Sequence, residues 1–149
     1  MKTLFQIAGI ITLFAFVGAC KTASSSIKPQ PESITGKYWK LIELNGKPVV
    51  FEESMRREPS IILRDEGNRI NGHGGCNTLT GVFEISKENR IRFSQMATTM
   101  MLCLNMEVEN GLKRALEMTD NYTMSADGKY LSLNKARMAL ARFEAVYFE

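Results

Sequence analysis

The chain contains few of the residues from which catalytic and metal sites are usually built. Its 149 residues include one histidine, His73, and three cysteines, Cys20, Cys76 and Cys103. Zinc needs three or four protein ligands, and the sequence has neither a Cys-x-x-Cys pair nor a second histidine. A catalytic group of His73, Cys76 and an acid such as Asp65 has no recognisable nucleophile motif around it. We therefore expect no metal, no cofactor and no catalytic residue.

The chain also lacks the glycine patterns of nucleotide-binding proteins and a large surplus of either charge. Four glycines lie between Asn71 and Phe83, but no Gly-Lys-Ser/Thr sequence or βαβ pattern accompanies them. The formal net charge is +3 at pH 7, and opposite charges are interspersed, as in residues 52–58. Such a mixed surface predicts binding neither to nucleic acid nor to acidic lipid through a polybasic patch.

The one long apolar run lies at the start of the chain. Leu4–Ala19 has sixteen residues, fewer than the roughly 20 that span a bilayer. It follows a positive charge at Lys2 and ends in small residues, so residues 1–19 are predicted to be a signal peptide. The ending Val17-Gly18-Ala19-Cys20 resembles the bacterial lipobox, which implies that Cys20 is lipidated and begins the mature protein. An ordinary secretory signal followed by a chance cysteine is the alternative.

Residues 20–34 are predicted to be a flexible tether. They are rich in serine and proline, and this composition buries too little apolar surface to offset the entropy of ordering. Acyl chains on Cys20 would anchor the protein stably, because each buried methylene contributes about 0.8 kcal/mol. The expected location is the bacterial cell envelope, lipid-anchored, at the outer membrane facing the periplasm.

Residues 35–149 are predicted to form one folded domain made mostly of hairpins. Asp127-Gly128 between alternating apolar runs is the strongest turn signal. The expected strands lie in residues 35–44, 60–64, 69–72, 80–86, 90–93, 121–125 and 129–133. Residues 137–147 fit a strand or a helix, and a strand is favoured because it would pair an open sheet edge.

One helix is predicted, from Met106 to Met118, with Asn105 as its N-cap. An apolar stripe runs along it through Val108, Leu112, Ala115, Leu116 and Thr119. Gly111 near its middle suggests close packing on a strand. The predicted fold class is α+β, with a curved antiparallel sheet of about eight strands, a half-barrel, wrapped around this amphipathic helix.

The stretch from Asn71 to Phe83 is the turn around which the strands are arranged. We expect its glycines to supply positive φ or close backbone approach, and Asn77 to cap the turn through its own backbone. The structural turn residues are Gly72, Gly74, Gly75, Asn77 and Gly81. Further on, Met96, Met100 and Met101 form a cluster, for which core packing under the helix is favoured over a pliable binding surface.

Taken in order, three segments resemble the META domain family, which includes the HslJ-like heat-shock lipoproteins. They are Tyr38-Trp39-Lys40-Leu41 with Asn45-Gly46-Lys47-Pro48, Gly75-Cys76-Asn77 with Gly81, and Thr98–Cys103 before a glutamate-bearing helix. The family's second cysteine usually lies nearer its methionine and is often followed by proline, whereas Leu102 and Leu104 occupy those places here. The resemblance implies a curved antiparallel sheet on a helix, no enzymatic activity, and roles in envelope stress, outer-membrane integrity and secretion.

Once Cys20 is lipidated, Cys76 and Cys103 are an even pair in an exported protein. An oxidising periplasm favours a disulfide between them, and two buried free thiols are the alternative. The leading hypothesis is a non-enzymatic envelope lipoprotein that binds or supports an unidentified envelope protein, with an acyl chain or a partner segment in the concavity of the sheet. The alternatives are a thiol-based redox or enzymatic protein using Cys76 and Cys103, and a small-ligand or inhibitor-type binding protein.

Overall fold

A computed structural model describes residues 33–87 and 89–147, which form one antiparallel sheet and one α-helix. The strands, in chain order, are β1 (Tyr38–Leu44), β2 (Lys47–Pro48), β3 (Ser60–Arg64), β4 (Arg69–His73), β5 (Thr78–Ser86), β6 (Arg90–Thr98), β7 (Asn121–Met124), β8 (Tyr130–Lys135) and β9 (Met138–Val146). The helix α1, Glu107–Met118, lies between β6 and β7. Each predicted hairpin is present, and the ambiguous last segment is a strand.

The sheet closes on itself into a barrel of eight strands, with β2 outside it. Each barrel strand pairs with its neighbour, and β9 pairs both with β8 and with β1. This confirms the α+β class with a sheet around one helix. The expected half-barrel is a closed barrel, because β9 pairs with β8 along one edge and with β1 along the other. The narrowest pairing is that of β6 with β7, which consists of Arg90 and Asn121 alone.

A bulge in β1 explains why its buried face was ambiguous in the sequence. Trp39 and Leu41 are buried at alternate positions, as in a regular strand. The pairing of β1 with β9 then shifts register between Leu41 and Glu43, so that Leu44 is the next buried side chain. An extra residue in one strand reverses the alternation, and therefore two incompatible period-2 patterns occur in one segment.

The helix packs its apolar stripe into the barrel. Leu112, Ala115 and Leu116 are buried, and Gly111 faces Leu44 so closely that a Cβ there would overlap the Leu44 side chain. The helix begins at Glu107, one residue later than predicted, so the N-cap position is Met106 and not Asn105. Asn105 Oδ1 nevertheless accepts a hydrogen bond from the Glu107 N–H at 2.9 Å. Together with the strands, α1 fills the interior, so the described residues leave no open concavity of the kind expected for a half-barrel.

The predicted signal peptide, Cys20 and all but the last two residues of the tether lie outside the described residues. Within residues 33–87 and 89–147, no helix is long and apolar enough to cross a membrane.

Candidate functional site

The turn between β4 and β5 is built to let a helix side chain reach its backbone. His73 and Thr78 are paired across the turn, and residues 74–77 connect them. Gly75 has a φ of 114°, a conformation that side chains rarely adopt. Gly74 faces the side chain of Glu109, which a Cβ would overlap. The Gly74 N–H closes the turn by donating to the Asn77 carbonyl at 2.9 Å.

Two further glycines expected in this region allow close approach within the sheet. A Cβ on Gly72 would meet the main-chain oxygen of Ser60 in the neighbouring strand. A Cβ on Gly81 would meet the sulfur of Met96. These two positions therefore bring neighbouring main chain and side chains close without requiring a positive φ.

Glu109 is a buried carboxylate that holds the turn from α1. Glu109 is only 4% exposed to solvent. Oε2 accepts from the main-chain N–H of Asn77 at 2.6 Å and of Cys76 at 3.2 Å. Oε1 accepts from Asn77 Nδ2 at 2.8 Å. A buried carboxylate needs such donors, because an unpaired charge away from water is strongly unfavourable.

The Asn77 side chain joins the turn to the segment that follows β6. Its Oδ1 accepts from the Met101 N–H at 2.7 Å and from Thr99 Oγ1 at 2.8 Å. Its Nδ2 donates to the Met101 carbonyl at 3.1 Å, in addition to Glu109. Asn77 was expected to cap the turn through its own backbone, and its main-chain carbonyl does accept from the Gly74 N–H, but its side chain does not bond within the turn. All four hydrogen-bonding positions of the amide are instead used by residues more than twenty positions away along the chain.

A disulfide bond fixes the same segment a second time. Cys76 and Cys103 are bonded, with Cα atoms 6.1 Å apart, which confirms the expected pair. The bond closes a loop with a sequence separation of 27, and in the chain-entropy model such a loop contributes about 3 to 4 kcal/mol. Cys76 is buried and Cys103 is half-buried.

We call Met100–Leu104 the apolar ridge. Met100, Leu102 and Leu104 are 96%, 100% and 101% exposed. The residues between them are held to the barrel: Met101 by Asn77, and Cys103 by the disulfide. Core packing was therefore the wrong expectation for Met100 and Met101, whereas Met96 does pack against the core. Three large apolar side chains exposed at alternate positions of one short segment are typical of an interaction site.

The ridge separates two surface grooves whose charges are mostly positive. One groove, of about 420 Å³, lies between the ridge and α1 and includes Lys113. The other, of about 370 Å³, lies beside the disulfide and includes Arg56, Arg57 and His73. Glu109 is the one acid among the residues lining them, and its carboxylate is bound to the turn.

His73 is largely buried beside the turn and accepts a hydrogen bond rather than acting on a neighbour. Its Nδ1 accepts from the Gly75 N–H at 3.2 Å. Burial lowers the pKa of His73 below its usual 6.5, and Arg57 and Arg56 lower it further while Glu109 opposes them. His73 is therefore neutral at neutral pH, and it carries no positive charge with which to stabilise a nearby thiolate.

The described residues contain no group of three or more His, Cys, Asp and Glu side chains arranged to hold a metal ion. Among the predicted site residues, Cys76, Asn77, Gly74 and Gly75 meet at one place with Cys103. Cys20 lies outside the described part of the chain.

Sequence reasoning missed Glu109, although a signal was present. Glu109 lies three residues before Leu112 and seven before Leu116, so it falls on the buried face of the helix. A carboxylate on an apolar stripe needs a partner. An acid in the first turn of a helix is favourable in any case, so the position of Glu109 near the start of α1 did not by itself indicate a buried contact.

The META domain model matches residues 32–147, a range that includes every described residue. The chain belongs to the META domain family. Two solved structures, both determined by NMR, share its fold. One is 22% identical with a TM-score of 0.58, covering 74% of this chain and 90% of its own. The other, from Burkholderia xenovorans, is 18% identical with a TM-score of 0.59, covering 85% of this chain and 97% of its own. No curated protein matches significantly.

Proposed function

We propose that this META domain protein is a lipid-anchored, non-catalytic binding protein of a bacterial cell envelope. Cys20 carries the lipid anchor, the outer membrane facing the periplasm is its location, and the domain supports envelope integrity under stress by binding another envelope protein. The observation that carries the proposal is the apolar ridge. A monomeric domain gains nothing by exposing Met100, Leu102 and Leu104 on a segment pinned in place, whereas a binding protein needs such a surface.

The proposed location in the cell envelope rests on the leader and is supported by the disulfide. Residues 1–20 carry the pattern of an exported lipoprotein, and structural disulfides form and persist in oxidising compartments such as the periplasm. These two features are independent, because the leader lies in residues 1–20 and the disulfide joins the β4–β5 turn to the apolar ridge.

A non-catalytic role is supported by what the buried polar groups do. The amide of Asn77 has all its donors and acceptors engaged within the chain. The Glu109 carboxylate accepts from main-chain N–H groups of the turn. Groups occupied in this way position the ridge and are not available to a substrate.

A thiol-based function through Cys76 and Cys103 is the second candidate. The half-buried position of Cys103 favours it, because thiol exchange requires access to one sulfur. Turnover of a disulfide or peroxide substrate that is lost in Cys103→Ser would support this candidate and oppose the first.

Growth of the native host with radiolabelled palmitate, followed by membrane fractionation, tests the proposed address. We expect label on the protein and its recovery with the outer membrane. Cys20→Ser should abolish both, whereas Cys103→Ser, the matched control, should keep them. An unlabelled protein recovered in the soluble fraction would overturn the proposal.

A further inference from the structure

The groove between the apolar ridge and α1 borders a length of main chain that no strand covers. β6 pairs with β5 along its length but with β7 only through Arg90 and Asn121. The Ile91 N–H still donates to the Asp120 carbonyl, and from Arg92 to Thr98 one edge of β6 has no strand partner in residues 33–87 and 89–147. Open edges of this kind are where proteins add a strand from another chain.

The apolar ridge continues that edge. The N–H of Thr99 donates to the Thr78 carbonyl at 3.1 Å, and Met101 binds Asn77 through both its N–H and its carbonyl. Residues 99 and 101 thus face the β5 side, as alternate residues of an extended chain do. The main-chain groups of Met100 and Leu102 bond to no residue in the described part of the chain, which is expected if this segment is extended and these groups point away from β5.

Charge at the groove favours an acidic occupant. Lys113 lines the groove from α1 and makes no ion pair with a described residue. The carboxylate of Glu109 also lines the groove, but both of its oxygens accept hydrogen bonds from the turn, so Lys113 is the charged side chain left to pair with an occupant. The exposed side chains of Met100 and Leu102 form the other wall.

We propose that this groove accepts an extended segment of the partner protein. The segment adds as a strand beside Thr98–Leu102, places apolar side chains against Met100 and Leu102, and brings an acidic side chain to Lys113. This deepens the proposed function by naming how the partner is bound, and it rests on that function only for the partner's presence in the envelope.

Other occupants fit the groove less well. The chain's own residues 20–32 include Pro29 and Pro31, which have no N–H to donate to a strand edge. They also include two lysines and one glutamate, so their net charge is +1 and does not suit Lys113. A bilayer offers phosphate to Lys113 and hydrocarbon to Leu102, but its hydrocarbon region has no donor or acceptor to pair with the main chain of Met100. An extended segment of a partner protein can supply hydrogen bonds to the main chain of Met100, an apolar contact for Leu102 and an acidic side chain for Lys113.

Fluorescence anisotropy with the full chain in detergent tests the proposal. The probe is a labelled nine-residue peptide of alternating glutamate and valine, blocked at both ends. One control replaces each glutamate with lysine. Two others carry N-methyl groups on alternate amides, each blocking one hydrogen-bonding edge of the peptide. We expect the glutamate peptide to bind, the lysine peptide to fail, and at least one N-methylated peptide to lose binding.

Two matched pairs of variants locate the site. Lys113→Glu should weaken binding by roughly five- to tenfold, whereas Lys87→Glu at the exposed β5–β6 turn should leave it unchanged. Leu102→Asp should abolish binding, whereas Met138→Asp, at an exposed position of β9, should not. Circular dichroism of each variant shows whether the barrel is intact, and Lys113→Arg should restore binding in a folded chain.

Several outcomes would overturn the inference. They are no binding at millimolar peptide, equal binding of the glutamate and lysine peptides, binding that survives both patterns of N-methylation, and binding to anionic vesicles that Leu102→Asp abolishes while no peptide binds. A chain that lacks lipid on Cys20 but binds the peptide would remove the proposed address and keep the strand-addition site.

Discussion

Glu109 and Asn77 are joined by two hydrogen bonds, one from the Asn77 main chain at 2.6 Å and one from its side chain at 2.8 Å. They are 32 residues apart in the sequence. Through this pair, α1 holds the β4–β5 turn, and through the other side of the Asn77 amide the turn holds Met101. The position of the apolar ridge is therefore set by a buried polar network as well as by the disulfide.

Replacement of Glu109 by alanine should strongly destabilise the domain. The N–H groups of Cys76 and Asn77 would lose their acceptor away from water, and we expect the free energy of unfolding to fall by about 3 kcal/mol. Urea unfolding measures it. Glu107→Ala is the matched control, since Glu107 is exposed in the same helical turn and should cost at most about 0.5 kcal/mol. Equal losses in the two variants would contradict the role given to Glu109.

Replacement of Gly74 by alanine should push the Glu109 side chain away from the turn. The added Cβ overlaps Glu109, and overpacking of this kind costs about 1 to 3 kcal/mol in free energy of unfolding. In a Glu109→Ala background the Cγ and Oε2 atoms are gone and only the Cβ of residue 109 remains, 2.9 Å from the added atom, so the same glycine change should cost less. A double-mutant cycle by urea unfolding measures this coupling. Strictly additive losses would show that the contact is unimportant.

Replacement of Asn77 by alanine should loosen the apolar ridge while leaving the barrel closed. Met101 would lose the partners of its N–H and its carbonyl, so we expect its amide to exchange with solvent roughly tenfold faster or more. The amide of Leu131, which lies in β8 away from the turn, should exchange as before. Hydrogen exchange followed by NMR gives both rates, and Asn110→Ala on the exposed side of the groove is the control. An unchanged Met101 rate would mean that the disulfide alone holds the ridge.

The lowered pKa of His73 should make stability depend on pH. Because the folded-state pKa lies below 6.5, the unfolded chain takes up a proton before the folded chain does as the pH falls. The contribution of His73 to the free energy of unfolding should therefore be constant above about pH 6.5 and decrease below it, down to the folded-state pKa. His73→Asn keeps an acceptor for the Gly75 N–H without titrating. The difference between the two proteins, measured by urea unfolding from neutral to mildly acidic pH, isolates the effect, and a pH-independent difference would contradict it.

Local patterns predicted the strands and the helix well. Asp127-Gly128 and Asn45-Gly46 mark turns whose geometry few other residues can adopt, and Gly67, Gly128 and Asn45 all have positive φ in the structure. Residues 137–147 were assigned to a strand because an open sheet edge needs a partner strand. In the structure β9 pairs with β1 and so closes the barrel.

Properties that depend on distant partners were not predictable in the same way. The Asn77 side chain was expected to bond locally, as asparagine in a turn usually does. Its amide instead forms hydrogen bonds with Met101 and Glu109. The methionines were expected in the core because apolar residues usually are. Met100 is exposed next to Met101, which is bound to Asn77, and Leu102 is exposed between Met101 and the disulfide-bonded Cys103.

The most direct measurement is the intact mass of the protein from its native membrane, with free thiols alkylated before and after reduction. We expect a mass that includes lipid on Cys20, and alkylation of Cys76 and Cys103 only after reduction. This result would establish an anchored domain whose ridge is fixed by its disulfide. A chain without lipid, or one whose Cys76 and Cys103 are alkylated without reduction, would contradict it.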